Sequence, residues 1–201
     1  MPTIFPQLRV AVLIDGGHLR AAARKAKEPF DPDFIEGVAK ACVAEGETAL
    51  RFLYYDCPPF TGRVKLPVSG AYREFEASDG WLRDLAGRDL FAVRRGVLKF
   101  RGWVPKKTPV PATMLDDDHF DPSFEQKGVD MRIGLDVATF CVSKAVERIV
   151  LLSADTDCVP ALKHARIAGL LTVLVTLPGQ RPAPELTWHA DYGRQVAWPP
   201  R

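Results

Sequence analysis

Apolar residues recur along this chain in two rhythms. Leu8 to Ile14 (LRVAVLI) is a short run rich in β-branched residues, ended by Asp15-Gly16-Gly17. That is the pattern of a buried strand running into a tight turn. Thr48 to Tyr55, Arg148 to Leu152 and Leu171 to Leu177 read the same way. Between them the spacing becomes helical. His18 to Lys27 suits a short helix, broken by Pro29 and Pro32. Phe34 to Ala44 carries apolar residues at 34, 35, 38, 39, 42 and 43, with Asp31 or Asp33 as its cap. Val129 to Val142 and Val159 to Ala168 are further helices, the second stopped at Gly169.

Other segments carry weaker patterns. Gly62 to Gly70 reads as a loop, and Tyr72 to Leu85 as a helix with Tyr72, Phe75, Trp81, Leu82 and Leu85 on its apolar face. Phe91 to Trp103 alternates as a strand or hairpin around Gly96. Pro105 to Phe124 holds Pro105, Pro109, Pro111 and Pro122 with Asp116-Asp117-Asp118, so an irregular loop is expected at about residues 104–125. A short helix near Glu185 to Tyr192 closes the pattern. Strands that are continuous apolar runs, alternating with helices, predict an α/β fold of three layers, α/β/α, around a central parallel sheet.

Composition narrows this further. With 201 residues, 47% of them hydrophobic, one domain over 1–201 is the expectation, and its core needs no staples. A net charge of +2 is too small for a disordered chain. No apolar run approaches the ~18 residues of a membrane span. Met1 to Gln7 lacks a basic region followed by an apolar one, so no signal peptide is read there. Cys42, Cys57, Cys141 and Cys158 form no CxxC pair and read as reduced thiols of a cytoplasmic protein.

The small net charge hides a division. Residues 61–107 hold 11 bases and 5 acids, and residues 108–160 hold 4 bases and 10 acids. The first block contains Arg94, Arg95, Lys99, Arg101, Lys106 and Lys107 without an intervening acid, and Phe100 and Trp103 lie among them. Such a stretch can neutralise phosphates while a ring stacks on an unpaired base. It equally describes core residues with a solvated basic face. Lys127 is a further candidate phosphate contact.

The second block holds acids at predicted strand ends. In a parallel α/β sheet, ligands bind beyond the carboxyl ends of the strands. Asp15 follows the first strand, Asp155 and Asp157 follow Arg148–Leu152, and Asp130 opens the helix before it. Four carboxylates at one edge repel one another unless a cation sits among them, and Mg²⁺ or Mn²⁺ prefers oxygen ligands. Ser153 could orient a carboxylate through its hydroxyl. The plainer alternative for Asp155 and Asp157 is an Asx turn capping a helix.

Three short motifs occur in order. Val12 to Leu19 (VLIDGGHL) resembles the opening IDGxN motif of the NYN domain family. Lys127-Gly128-Val129-Asp130 with Asp136 resembles its K-x-V-D segment. Leu152 to Pro160 (LSADTDCVP) is similar to its SGDxDF-x-P segment. Order and spacing fit the LabA-like branch of the PIN-like nucleases, over roughly residues 8–195. The resemblance implies a Rossmann-like PIN fold, a Mg²⁺ or Mn²⁺ site and metal-dependent ribonuclease chemistry on RNA, single-stranded RNA above all. Asp15, Asp130, Asp155 and Asp157 are then the metal-binding and catalytic acids. Asp136 lies about 240° around the helix from Asp130, so it supports the site or the fold instead of sharing the metal. His18 replaces the family's Asn and also takes a supporting place, and Ala154 and Cys158 replace its Gly and Phe. The alternative is a PIN-like scaffold that binds RNA without cutting it, with a second copy of the chain as a partner. No Gly-x-Ser-x-Gly, GxxxxGK[ST] or GxGxxG motif is present.

Overall fold

The computed structural model describes residues 7–109 and 116–200. The start of the chain read for a leader, and the centre of the expected loop, lie outside these residues. The elements in order are β1 (Leu8–Asp15), α1 (Gly16–Ala26), α2 (Pro32–Ala41), β2 (Glu47–Asp56), β3 (Gly62–Lys65), β4 (Tyr72–Phe75), α3 (Gly80–Ala86) and β5 (Phe91–Arg95). They continue with β6 (Val97–Pro105), β7 (Phe120–Lys127), α4 (Val129–Ser143), β8 (Arg148–Leu152), α5 (Val159–Ile167), β9 (Leu171–Thr176), α6 (Pro184–Trp188) and β10 (Tyr192–Gln195).

Six strands form one sheet in the order β10-β9-β8-β1-β2-β5, every pair parallel. Its two faces are both covered, which is why β1 reads as a continuous apolar run. Val10, Val12 and Ile14 pack with Leu19 of α1, Ile35 and Val38 of α2, and Leu82 and Leu85 of α3. Ala11 and Leu13 face the other way, toward Ile133 and Val137 of α4, Leu162 of α5 and Leu186 of α6. This is a three-layer α/β/α, Rossmann-like architecture. Each fully buried Leu or Ile contributes about 1.5–3 kcal/mol through lost water contact. No helix among the described residues is long and apolar enough to cross a membrane.

The strand edge opposite Asp15 is tied by charge. Glu47, at the start of β2, meets Arg148 of β8 and Arg194 of β10, and its second oxygen accepts Ala44 N–H at 2.8 Å. Only 1% of the Glu47 side chain is exposed. The two guanidiniums and the backbone N–H outweigh burial and hold its carboxyl down at about 2.

Two hairpins depart from the sequence reading. Gly62 to Lys65 and Tyr72 to Phe75 pair antiparallel, where a loop and the start of a helix were expected. The helix begins only at Gly80, whose N–H is taken by Ser78 Oγ at 3.1 Å. The apolar positions at 72–85 serve two different partners. Phe75 packs on Phe60, Phe124 and Trp103, whereas Leu82 and Leu85 pack on the sheet. The expected irregular loop is also shorter than its prolines indicated. β6 extends to Pro105 and β7 starts at Phe120, the two pairing antiparallel. Pro122 is accommodated because a two-stranded ribbon leaves alternate N–H groups without a ladder partner. The closing segment is helical only over Pro184–Trp188, and Tyr192 begins the edge strand β10.

Candidate metal centre

The sheet's order places one crevice by topology. From β1 the chain runs outward through β2 and β5, then returns to build β8, β9 and β10 on the opposite side. The reversal falls between β1 and β8, whose carboxyl ends align at Ile14 and Leu152. Loops there diverge to opposite faces and leave space for a ligand.

Asp15 is the last residue of β1 and the N-cap of α1. Its Oδ1 accepts His18 N–H at 3.0 Å and its Oδ2 accepts the Ser153 hydroxyl at 3.0 Å. Ser153, buried just beyond β8, also accepts Asp155 N–H at 3.1 Å, so one hydroxyl couples the two strand ends. Asp155 caps a short 3-10 turn, Thr156–Cys158, with Oδ1 accepting Asp157 N–H at 2.9 Å. The Asx turn is therefore present, and it occupies one oxygen of one carboxylate. Asp130 lies in the first turn of α4, which departs from Gly128 at φ 79°, a backbone angle that suits glycine.

Carboxylate oxygens of Asp130, Asp155 and Asp157 lie within 4.8 Å of one another. Asp15 stands outside this trio and is linked to it through Ser153. Burial, then the charges of Asp155, Asp15 and Asp157, push the Asp130 carboxyl above the ordinary carboxylate range. The Cys158 thiol below the turn is buried and pushed up to about 12.

The other expected site residues divide. His18 Nε2 contacts Gln180 Oε1 at 3.2 Å, so its ring engages Gln180 while its backbone N–H serves Asp15. Asp136 is distant from the trio in function as well as around the helix. It accepts the Tyr55 hydroxyl at 2.9 Å and Arg94 Nε and Nη2 at 2.8 and 3.2 Å, which fastens α4 to β2 and β5.

The basic stretch is largely paired. Besides Arg94, Arg95 meets Asp79 at 2.7 Å, Lys106 meets Asp121 at 3.7 Å, and Arg101 and Lys127 both meet Glu125. Lys99 and Lys107 have no ion pair among the described residues. Phe100 and Trp103 belong to an aromatic cluster between the two hairpins, and Trp103 Nε1–H donates to the Lys65 carbonyl at 2.7 Å.

Asp56 escaped the sequence reading. It ends β2, is wholly buried, and sits against Gly16. Arg20 pairs with it, the Tyr54 hydroxyl and Cys57 N–H donate to it at 3.0 and 2.7 Å, and Gln126 Nε2 lies at 3.4 Å. Its signal was available: it terminates the strand beside β1, with Asp15 registered on Tyr55. Gly16 and Gly17 are small because of these neighbours. A Cβ on Gly16 would lie 2.5 Å from Tyr54 Oη, and one on Gly17 2.9 Å from Gln126 Oε1.

No family model matches the chain, and no curated protein matches it. Among solved structures it is similar to the crystal structure of a protein of unknown function from Vibrio parahaemolyticus RIMD 2210633. The TM-score is 0.52 at 15% identity, over 98% of this chain and 96% of that one. That likeness extends over the whole fold and concerns the fold alone.

Proposed function

We propose that the acidic edge holds a divalent cation and that the protein is a metal-dependent ribonuclease. The observation that carries this is the approach of Asp130, Asp155 and Asp157 to within 4.8 Å at the sheet's topological switch point. Ligand oxygens on one Mg²⁺ stand at most roughly 4.2 Å apart, given metal–oxygen distances of about 2.0–2.1 Å, so a trio spread over up to 4.8 Å reaches one small hard ion after side-chain shifts of a few tenths of an ångström. The Asp130 carboxyl is raised by burial first and then by the neighbouring carboxylates, and such an ion relieves the second of these. RNA as the substrate rests on the three motifs and on Lys99 and Lys107, the bases of the stretch without an ion pair among the described residues.

A bound Mg²⁺ or Mn²⁺ supplies Lewis acidity toward a phosphoryl oxygen and lowers the pKa of water. The chain's own residues do the rest. Asp130, Asp155 and Asp157 hold the cation. Ser153 locks Asp15 and the Asp155 backbone into one arrangement, so the acids need not reorganise when charge develops. Asp15, buried and held at both oxygens, offers its remaining lone pairs to orient a water beside the scissile phosphate. Lys99 and Lys107 attract the strand electrostatically. Four free, buried cysteines accord with a reducing cytoplasm.

The test is cleavage of labelled single-stranded RNA with Mn²⁺ or Mg²⁺, beside Asp15→Asn and Asp155→Asn. Cleavage by the parent that disappears in both variants supports the reading. Equal cleavage by all three overturns it, and RNA binding without cleavage supports the non-catalytic scaffold instead.

A further inference from the structure

Beside the acidic trio lies a pocket of opposite character. Its volume is about 510 Å³, within the range of small-molecule sites. It opens between α1 and the loop that follows β9, and it shares His18 and Ser153 with the metal centre. Its floor is apolar, made by Ala21, Ala22, Val175 and Pro178. Among the described residues no Asp or Glu lines it, whereas Lys25 and Arg181 do, both exposed and neither with an ion pair there.

The polar groups inside are fixed by a short chain of hydrogen bonds. Gln180 Oε1 accepts Leu177 N–H at 3.2 Å, which identifies that atom as the amide oxygen. The same oxygen must therefore accept from His18 Nε2 at 3.2 Å, which places the imidazole proton on Nε2. His18 N–H in turn donates to Asp15. The Gln180 amide nitrogen is left as a donor pair without an acceptor among the described residues, and its carbonyl oxygen is taken by these two bonds. An apolar floor, one oriented amide donor and two unpaired cations together fit a flat heterocycle bearing carbonyl oxygens and attached to a phosphate.

We propose that this pocket seats one nucleotide of the substrate strand, next to the phosphate that meets the metal centre. The base lies on the Ala21–Pro178 floor, the Gln180 amide donates to it, and Lys25 with Arg181 holds the nucleotide's own phosphate. This rests on the ribonuclease reading for its place in the reaction. The pocket's affinity for a nucleotide does not depend on that reading.

Binding is therefore measured apart from cleavage, by calorimetric titration with each of the four nucleoside monophosphates in EDTA, with the nucleosides and inorganic phosphate as comparison ligands. The parent should bind a monophosphate more tightly than either comparison ligand. Lys25→Ala with Arg181→Ala should weaken it by about tenfold or more. Ala21→Trp, on the exposed side of α1, should abolish binding with an unchanged melting temperature, and Asp155→Asn should bind no more weakly than the parent. The proposal is overturned if no monophosphate binds, if the pocket variants bind as well as the parent, or if inorganic phosphate binds as tightly as the nucleotides. Loss of binding in Asp155→Asn overturns it too, since the nucleotide would then sit on the acids. Nucleotide binding with no metal-dependent RNA cleavage sinks the ribonuclease reading and leaves the pocket standing.

Discussion

Glu47 offers a stability test that needs no substrate. Its carboxylate is nearly inaccessible and faces Arg148 and Arg194, whose side chains are only 15% and 17% exposed. Bringing a carboxyl from its ordinary 4.5 to about 2 corresponds to about 3 kcal/mol of preference for the charged form in the fold. The folded value is depressed, so this stability is fully present above about pH 4.5 and is lost as pH falls toward 2. Glu47→Gln removes the charge at every pH and leaves two enclosed guanidiniums facing an amide. Arg148 Nε is already buried without a hydrogen-bond partner among the described residues, so the cluster has nothing in reserve. The expected cost at pH 7 is about 3–5 kcal/mol. Urea unfolding of both proteins between pH 7 and pH 2.5 measures it. The gap between them should be constant from pH 7 to about 5 and narrow steadily below, because the parent itself becomes neutral at position 47. A gap below about 1 kcal/mol at pH 7, the scale of a surface pair, or one that does not narrow in acid, would refute the reasoning.

Three further outcomes follow from particular contacts. Gly16→Ala would put its methyl 2.5–2.7 Å from Tyr54 and Asp56, and should cost about 1–3 kcal/mol by overpacking; an unchanged urea midpoint would contradict the closeness of that network. Asp130→Asn should raise the melting temperature without metal, by about 2–4 °C for each kcal/mol of repulsion relieved, and should lose any Mn²⁺-induced rise seen in the parent; a variant that melts lower in EDTA would show that Asp130 is not repelled. Cys42 and Cys158, each buried and pushed up to about 12, should resist a thiol-specific aromatic disulfide reagent at pH 8 until the protein unfolds; prompt reaction of either in the native state would disprove their enclosure.

The layers of the fold were legible because burial on both faces leaves a plain trace. A strand covered on two sides must be apolar at every position, as Val10 to Ile14 is, and a helix on that sheet repeats at 3.6 residues, as Ile35, Val38, Ile133 and Val137 do. The hairpins were not legible for the converse reason. Phe75, Phe100, Trp103 and Phe124 are packed by one another across two small ribbons, each only partly covered. An aromatic residue placed for such a cluster can imitate a helical stripe, as Phe75 did beside Tyr72 and ahead of the helical Leu82. Prolines misled in the same region, because Pro105 and Pro122 lie in a ribbon that tolerates them.

At the site, the chain order of the acids was readable, but their partners were not. Ser153 joins Asp15 to Asp155 across 138 residues of sequence, and Gln180 meets His18 across 162. No local spacing reports such contacts. The basic stretch shows the same limit in its sharpest form. Counted along the chain, residues 61–107 are strongly basic and residues 108–160 strongly acidic, and the two look like separate surfaces. Folded, β6 and β7 lie side by side and α4 crosses β5, so Asp121, Glu125 and Asp136 of the acidic block meet Lys106, Arg101 and Arg94 of the basic one. Much of the apparent grip on phosphate is spent inside the protein. On the proposed ribonuclease reading, neutralising Lys99 and Lys107 together should lower the salt dependence of RNA affinity by about 0.7 per charge, the single-strand value, with the fold unaffected. Arg94→Ala should instead destabilise the protein, by about 1–3 kcal/mol because the mostly buried Asp136 carboxylate is left with the Tyr55 hydroxyl alone, and change the salt slope little. Fluorescence anisotropy with labelled single-stranded RNA over a salt series, run beside urea unfolding, separates the two. If Arg94→Ala flattens the salt slope as much as the lysine pair does and leaves stability untouched, its bond to Asp136 is not what holds it, and the charge division along the sequence was the better guide.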